Sequence, residues 1–164
     1  MKRFLFLILI VSFNVSAAEQ AITQWVYNTL ERAQANLDKG NVEAAERIYY
    51  DYSNDTWSSR SYDHFVILRT YAYFLLSFDR NEEALRYLKQ ASLKRDMPPY
   101  DIFELNFTLG QVYYVTGDRE NAKKTLLKWV EIGEKNKLDL KPEGYAILAT
   151  IYAQDEEWGN ALKY

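Results

Sequence analysis

Gly117-Asp118-Arg119-Glu120-Asn121-Ala122 decides the reading of this chain, because the same stretch occurs three more times in degenerate form. Gly40-Asn41-Val42-Glu43-Ala44-Ala45 and Asp79-Arg80-Asn81-Glu82-Glu83-Ala84 come before it, and Glu156-Glu157-Trp158-Gly159-Asn160-Ala161 comes after. The closing alanines are 39, 38 and 39 residues apart. Equal steps along most of the chain are the mark of stacked repeats. Each stretch follows one physical logic. A polar turn, with Gly or Asp at its start, ends one helix. A carboxylate or amide then sits in the first turn of the next helix, where the helix dipole favours negative charge. The alanine falls where two helices must approach closely.

Working outward, both flanks of each turn carry the helical period. After Ala84 come Leu85, Leu88 and Ala91, and after Ala122 come Leu126, Leu127, Trp129 and Val130. Before the turns, Phe65, Leu68, Ala72 and Leu75 share a face, as do Leu105, Leu109 and Val112, and Ile147, Leu148 and Ile151. Pro98-Pro99 and Pro142 stand where one helix pair has ended and the next begins. The spacing predicts eight helices in four antiparallel pairs, at about 20–39 and 41–53, 61–78 and 81–93, 99–116 and 119–135, and 142–154 and 157–164. Polar connectors at 54–60, 94–98 and 136–141 separate the pairs. Tyr71-Ala72-Tyr73-Phe74 has strand propensity but lies inside a longer 3.6-residue pattern.

Leu109-Gly110, Tyr113, Ala122, Leu126 and Trp129 resemble the spacing of the tetratricopeptide repeat. Tyr71-Ala72, Leu75, Ala84 and Leu88 resemble it in the second unit, and Leu148-Ala149, Tyr152 and Ala161 in the fourth. The first unit, with Ala33, Ala45 and Tyr49, matches least well, which suits a terminal repeat with one face toward solvent. The resemblance implies an all-α, right-handed superhelical solenoid of about four helix pairs, in units of about 22–53, 61–95, 99–136 and 142–164. Each unit is longer than the usual repeat of roughly 34 residues, and the closing proline is displaced. The last helix has barely one turn between Ala161 and Tyr164, so the fourth pair is truncated. Its apolar seam then requires either further chain or a partner to cover it.

Residues 1–18 read MKRFLFLILIVSFNVSAA. Lys2 and Arg3 precede the apolar run Phe4 to Val11, and Ser16-Ala17-Ala18 provides small residues, which is the pattern of a cleaved secretory signal peptide. The run is shorter than the roughly 20 residues needed to span a bilayer. Cleavage after Ala18 or Ala17 leaves 19–164 as the helical repeat domain, exported, and periplasmic in a Gram-negative cell. The 20 basic side chains then lose Lys2 and Arg3, against 23 acidic ones. An acidic chain of this kind does not suit nucleic acid, whose phosphates need a concentrated basic face. With no Cys and one His among 164 residues, disulfide scaffolds, thiolate metal sites and Cys nucleophiles are excluded.

In stacked pairs the first helices line the concave side. Their stripe at i, i+4 and i+7 carries Leu30, Gln34 and Leu37, then Arg69, Tyr73 and Leu76, then Phe107, Gln111 and Tyr114, then Ala146, Thr150 and Ala153. Leu30, Gln34, Arg69, Tyr73 and Leu76, with Phe107, Gln111, Tyr114 and Thr150, are the expected partner-binding residues, since aromatic bodies with polar tips suit recognition. Tyr27, Val66, Glu104 and Glu143 extend the stripe at one edge. Some tetratricopeptide domains clamp a terminal carboxylate on this stripe, but only Arg69 could contribute here. That clamp is therefore not expected, and the stripe favours an extended peptide or partner helix held by apolar and aromatic contacts. His64 beside Asp63 lacks a nucleophile at motif spacing. Glu82-Glu83 and Asp155-Glu156-Glu157 read as solvated helix starts rather than a metal seat. Tyr49-Tyr50-Asp51-Tyr52 with Trp57 reads as packing between the first two units.

The expectation is a non-enzymatic, cofactor-free adaptor that binds a protein or peptide of a cell-envelope complex, without an integral membrane segment after cleavage. Exported repeat proteins that support TonB-type transport are the kind it resembles. The alternatives are a helical arm of a larger envelope secretion or assembly factor, or of a hydrolase whose remainder lies beyond residue 164, and a homo-oligomer formed through the last helix.

Overall fold

The structure is a computed structural model and describes residues 21–54 and 61–164. The expected leader 1–18 and Trp57 lie outside the described residues. Among those described there are eight helices and no strand: α1 Gln24–Asp38, α2 Val42–Ser53, α3 Ser61–Ser77, α4 Asn81–Ser92, α5 Pro99–Val115, α6 Arg119–Asn136, α7 Pro142–Gln154 and α8 Trp158–Ala161. The first helix begins later than its spacing suggests because the Thr23 hydroxyl caps it, accepting from the Val26 amide at 3.4 Å. Proline opens α5 and α7, where its missing N–H costs nothing. The Asp118 carboxylate accepts from the Asn121 amide at 3.1 Å and caps α6.

The four polar turns are one structure repeated. Gly40, Asp79, Gly117 and Glu156 have φ of 77°, 58°, 85° and 60°. At the first turn the Gly40 amide donates to the Leu37 carbonyl at 2.9 Å and the Asn41 amide to the Asn36 carbonyl at 2.8 Å. Arg80 to Leu75, Asp118 to Tyr113 and Glu157 to Tyr152 repeat the second bond, at 3.0, 2.8 and 2.8 Å. This pair of bonds is the Schellman closure of a helix. The amides of Ala45, Ala84, Ala122 and Ala161 then donate to the carbonyl four residues back, at 3.0 to 3.1 Å, and start the return helix.

Each first helix packs on its own return helix, and each return helix packs on the first helix of the next pair. The pairs therefore stack in chain order. Small residues mark the close approaches. Ala33, Ala45, Ala72, Ala84 and Ala122 are fully buried, and Leu109, Gly110 and Tyr152 are buried too. Tyr113, Ala149 and Ala161 are half-buried. The first core cluster includes Tyr49, Phe65, Tyr71, Leu75 and Leu88, with Tyr49 stacked on Tyr71 at 5.9 Å. Of the first-connector aromatics, Tyr52 meets Trp25 at 4.8 Å, while Tyr50 is exposed. The second cluster surrounds Trp129, which has no exposed surface. Its ring lies 5.5 Å from Phe103, 5.2 Å from Phe107 and 5.7 Å from Tyr145.

Charged side chains tie neighbouring turns together. Arg80 donates to Glu46 of the preceding pair at 2.6 Å and to Glu83 of its own helix at 2.6 Å. Lys123 reaches forward to Asp155 at 2.6 Å and Glu157 at 3.3 Å. Glu83, Asp155 and Glu157 of the acidic clusters are thus engaged by cations of the solenoid itself.

Two outcomes test this account. A Cβ on Gly144 would stand 2.5 Å from Trp129 Cζ3, inside a ring that cannot move aside. Gly144→Ala should therefore lower the unfolding free energy by about 1–3 kcal/mol, the range for overpacking a dense core, as read by urea denaturation. Hydrogen bonding to Arg80 holds the Glu83 carboxyl below its ordinary 4.5, and Lys123 does the same for Asp155 below 3.8. Both groups bind protons less readily when folded, so their contribution is present above those ordinary values and disappears as pH falls through the depressed ones. Melting temperature should fall on acidification below pH ~4.5, and Arg80→Met should make that fall shallower.

Candidate partner-binding groove

The Schellman turns align the four first helices so that repeat-equivalent residues share one stripe. Leu30, Arg69, Phe107 and Ala146 form one row, and Gln34, Tyr73, Gln111 and Thr150 the next. Leu37, Leu76, Tyr114 and Ala153 form the third. Leu30, Gln34, Leu76, Gln111 and Tyr114 are half-buried, and Thr150 is exposed. Tyr73 is half-buried, with its hydroxyl 3.4 Å from Thr108 Oγ1 across the gap between α3 and α5. The Gln34 amide donates to Asp38 at 2.8 Å, and the Thr150 hydroxyl to its own helix at the Ala146 carbonyl at 2.7 Å.

Two stripe residues serve the solenoid instead of facing outward. Phe107 retains 8% of its surface, with its ring against Trp129 and the Lys141 ammonium 4.5 Å from its centroid. Helical spacing placed it correctly on α5, but the bulk of Trp129 from α6 draws it into the core. Arg69 is also enclosed, because its guanidinium pairs with Asp101 at the start of α5 and lies 5.0 Å above the Phe65 ring. Burial works against the Arg69 charge, and Tyr73 and Asp101 more than offset it, so its pKa stands above the ordinary value. Arg69 is a strut between the second and third pairs.

The Asp101 contact belongs to a ladder that sequence reasoning missed. Asp63 and Asp101 occupy equivalent positions and are both buried. Asp63 accepts from the amide and hydroxyl of Thr23 at 3.1 and 2.9 Å. Asp101 accepts from the Tyr62 hydroxyl at 3.0 Å, and Tyr62 stands where Thr23 stands one unit earlier. Each buried carboxylate thus reaches back to the preceding first helix. His64 does not pair with Asp63. Its Nε2 lies 3.0 Å from the Ser53 carbonyl, to which it donates, and its Nδ1 accepts from Lys94 at 2.9 Å. Tyr100, the next equivalent of Thr23 and Tyr62, is 58% exposed, within electrostatic reach of Glu104, Lys141, Arg69 and Asp101. The repeat alignment carries the signal for all three residues.

Lys141 bonds Glu104 at 2.7 Å across the third and fourth pairs. The cations along this face are thereby neutralised by their own neighbours, and what remains for a ligand is aromatic and amide surface. The chain contains no cysteine, and the described residues hold no cluster of His, Asp and Glu close enough for a metal ion. The arrangement suits non-covalent recognition.

Removing the Asp101 charge strands Arg69 in a largely enclosed site. Asp101→Ala should cost about 3–5 kcal/mol, the range for breaking a buried pair, measured by chemical denaturation. The exposed Arg47–Asp51 pair gives the contrast, since Asp51→Ala should cost under about 1 kcal/mol.

No family model matches the chain, and no curated protein matches it in sequence. The crystal structure of MamA does match in three dimensions, with a TM-score of 0.61 over 85% of this chain and 73% of that one, at 20% sequence identity. At that identity the likeness is one of fold. The chain is an all-α solenoid of stacked antiparallel helix pairs, similar to the tetratricopeptide-like fold of MamA.

Proposed function

We propose that this protein is an exported scaffold that holds a protein or peptide partner along the stripe of its first helices. One observation carries the reading. Tyr73, Gln111 and Tyr114 keep open surface on one face, while the charged groups around them are satisfied within the solenoid. Such a face binds through aromatic area and amide hydrogen bonds. It fits an extended segment or an amphipathic helix of the partner. The pattern of residues 1–18 supports delivery outside the cytoplasm, to the periplasm in a Gram-negative cell. Within the envelope, the process proposed is support of TonB-type transport.

The test is capture from an envelope extract with the wild-type protein and with Tyr73→Ala/Tyr114→Ala. Partners retained by the first should be lost by the second, with binding weakened by about tenfold or more, while the circular dichroism of both proteins agrees. Retention by both would remove the stripe as the site. Mass spectrometry of the exported protein should show loss of residues 1–17 or 1–18. A deletion strain that takes up iron chelates normally would remove the TonB assignment and leave the scaffold reading intact.

A further inference from the structure

Charge is missing from the later part of each first helix after α1. α3 carries no charged residue from Thr70 to Ser77, α5 none from Leu105 to Val115, and α7 none from Gly144 to Gln154. In α3 and α5 the charged side chains stand nearer the helix start, where Asp63, Arg69, Asp101 and Glu104 are bonded within the solenoid. Core positions account for part of this, since Phe74, Leu75, Leu109 and Val112 face inward. The open positions of the stripe are uncharged as well. Tyr73, Leu76, Gln111 and Tyr114 are half-buried, and Ser77 and Val115 are exposed. On α1 the one carboxylate near this level, Asp38, accepts from Gln34 at 2.8 Å. A segment laid across α3 and α5 here meets rings, an amide and hydroxyls, and no ion. A charged side chain on that segment would lose water and gain no counter-charge. Charge complementarity therefore selects an uncharged occupant.

Spacing selects its conformation. Tyr73 and Gln111 hold equivalent positions on neighbouring first helices, and Leu76 and Tyr114 do so one turn further along. α3 and α5 touch at this level, with the Tyr73 and Thr108 hydroxyls 3.4 Å apart, and packed helices stand about 8–10 Å apart. A polyproline II helix repeats every three residues, over about 9.3 Å. Running across the first helices, it presents the same face to each in turn. A β-strand repeats every two residues, over about 6.8 Å, and falls out of step. An amphipathic α-helix needs an apolar groove, whereas Tyr73, Gln111 and Tyr114 offer polar tips. Hydrogen bonding agrees, because proline has a carbonyl and no N–H, so such a segment only accepts. Gln111 and Tyr114 have no hydrogen-bond partner among the described residues and supply the donors. Entropy agrees too, since polyproline is ordered before it binds and loses little freedom on docking.

We propose that the uncharged track over Tyr73, Leu76, Gln111 and Tyr114 binds a proline-rich, uncharged segment in the polyproline II conformation. This names the partner class for the scaffold reading above and rests on it.

The probe is a fluorescein-labelled oligoproline of about twelve residues, which at ~37 Å is long enough to cross three first helices. It is titrated with the purified protein and followed by anisotropy. Saturable binding is expected. A Gly-Ser peptide of equal length should bind about tenfold more weakly or worse, and so should oligoproline bearing Lys or Glu at every third position. Tyr73→Ala/Tyr114→Ala should raise the dissociation constant by about tenfold or more, and so should Gln111→Glu, which places a charge on the track. Circular dichroism should stay unchanged in both. Tyr50→Ala, at an exposed ring of α2, should leave binding as it is. The proposal is overturned if oligoproline shows no saturable binding, or if the Gly-Ser or charged peptides bind equally well. It is also overturned if neither track variant weakens binding, or if Tyr50→Ala weakens it as much. Envelope partners still captured through Tyr73 and Tyr114 while oligoproline fails would remove the proline assignment and leave the scaffold reading standing.

Discussion

Closure of each helix pair by one residue in the left-handed region is the constraint on which the rest of the solenoid depends. The turn bonds at Gly40, Asp79, Gly117 and Glu156 terminate a first helix and release the chain at a fixed angle. Five residues later the backbone is helical again at Ala45, Ala84, Ala122 or Ala161, so the smallest side chain falls at the same point of every pair. A longer residue there would push the two helices apart, and the next pair would find no complementary surface. Glycine carries the positive φ at two turns. Asp79 and Glu156 carry it at the other two and bear the steric cost that a Cβ imposes there, of order 1 kcal/mol each. That cost is tolerated because three backbone bonds at each turn determine the geometry.

At the first and third junctions, specificity comes from charge placed at equivalent positions with opposite sign. The first pair offers Glu46 to Arg80 of the second, and the third offers Lys123 to Glu157 of the fourth. Exchanging the junctions would face Glu46 with Glu157 and Lys123 with Arg80. Ion pairs of this exposure add little stability each. Their value is in rejecting the wrong neighbour, which repeat chains with similar units otherwise find easily.

The helices and turns were legible in the sequence because both are local. A 3.6-residue apolar period, a turn residue and a following alanine all lie within about a dozen residues of one another. α5 spans Pro99–Val115 where the spacing predicts 99–116, and α6 spans Arg119–Asn136 where it predicts 119–135. The stripe was legible as a set of residues on one side of each helix, but the fate of each member was not. Phe107 and Arg69 lie on the expected face, yet Trp129 and Asp101 claim them. Those claims come from residues 22 and 32 positions further along the chain, beyond the reach of any helical period. Asp63 and Asp101 show the same limit. Each looks like an ordinary acidic residue in a first turn, and only alignment of one unit on the next reveals that both bond the preceding first helix.

The places where the repeat breaks its own pattern explain the character of the groove. The ladder of Thr23 to Asp63 and Tyr62 to Asp101 requires a carboxylate at residue 140, and Leu140 stands there instead. Leu140 packs beside Gly133, where even a single added carbon would lie 2.6 Å from its Cδ2. The junction between the third and fourth pairs thus exchanges a buried hydrogen bond for apolar contact around Phe103 and Trp129. Tyr100, the donor that the ladder would have used next, is left at the surface beside Glu104 and Lys141. Apolar packing at Leu140 on one side of the solenoid thus goes with an exposed aromatic ring at Tyr100 on the other. The exposed edge of the third pair is in this sense a product of how the fourth pair is held, and the proposed recognition surface cannot be separated from the stacking that supports it.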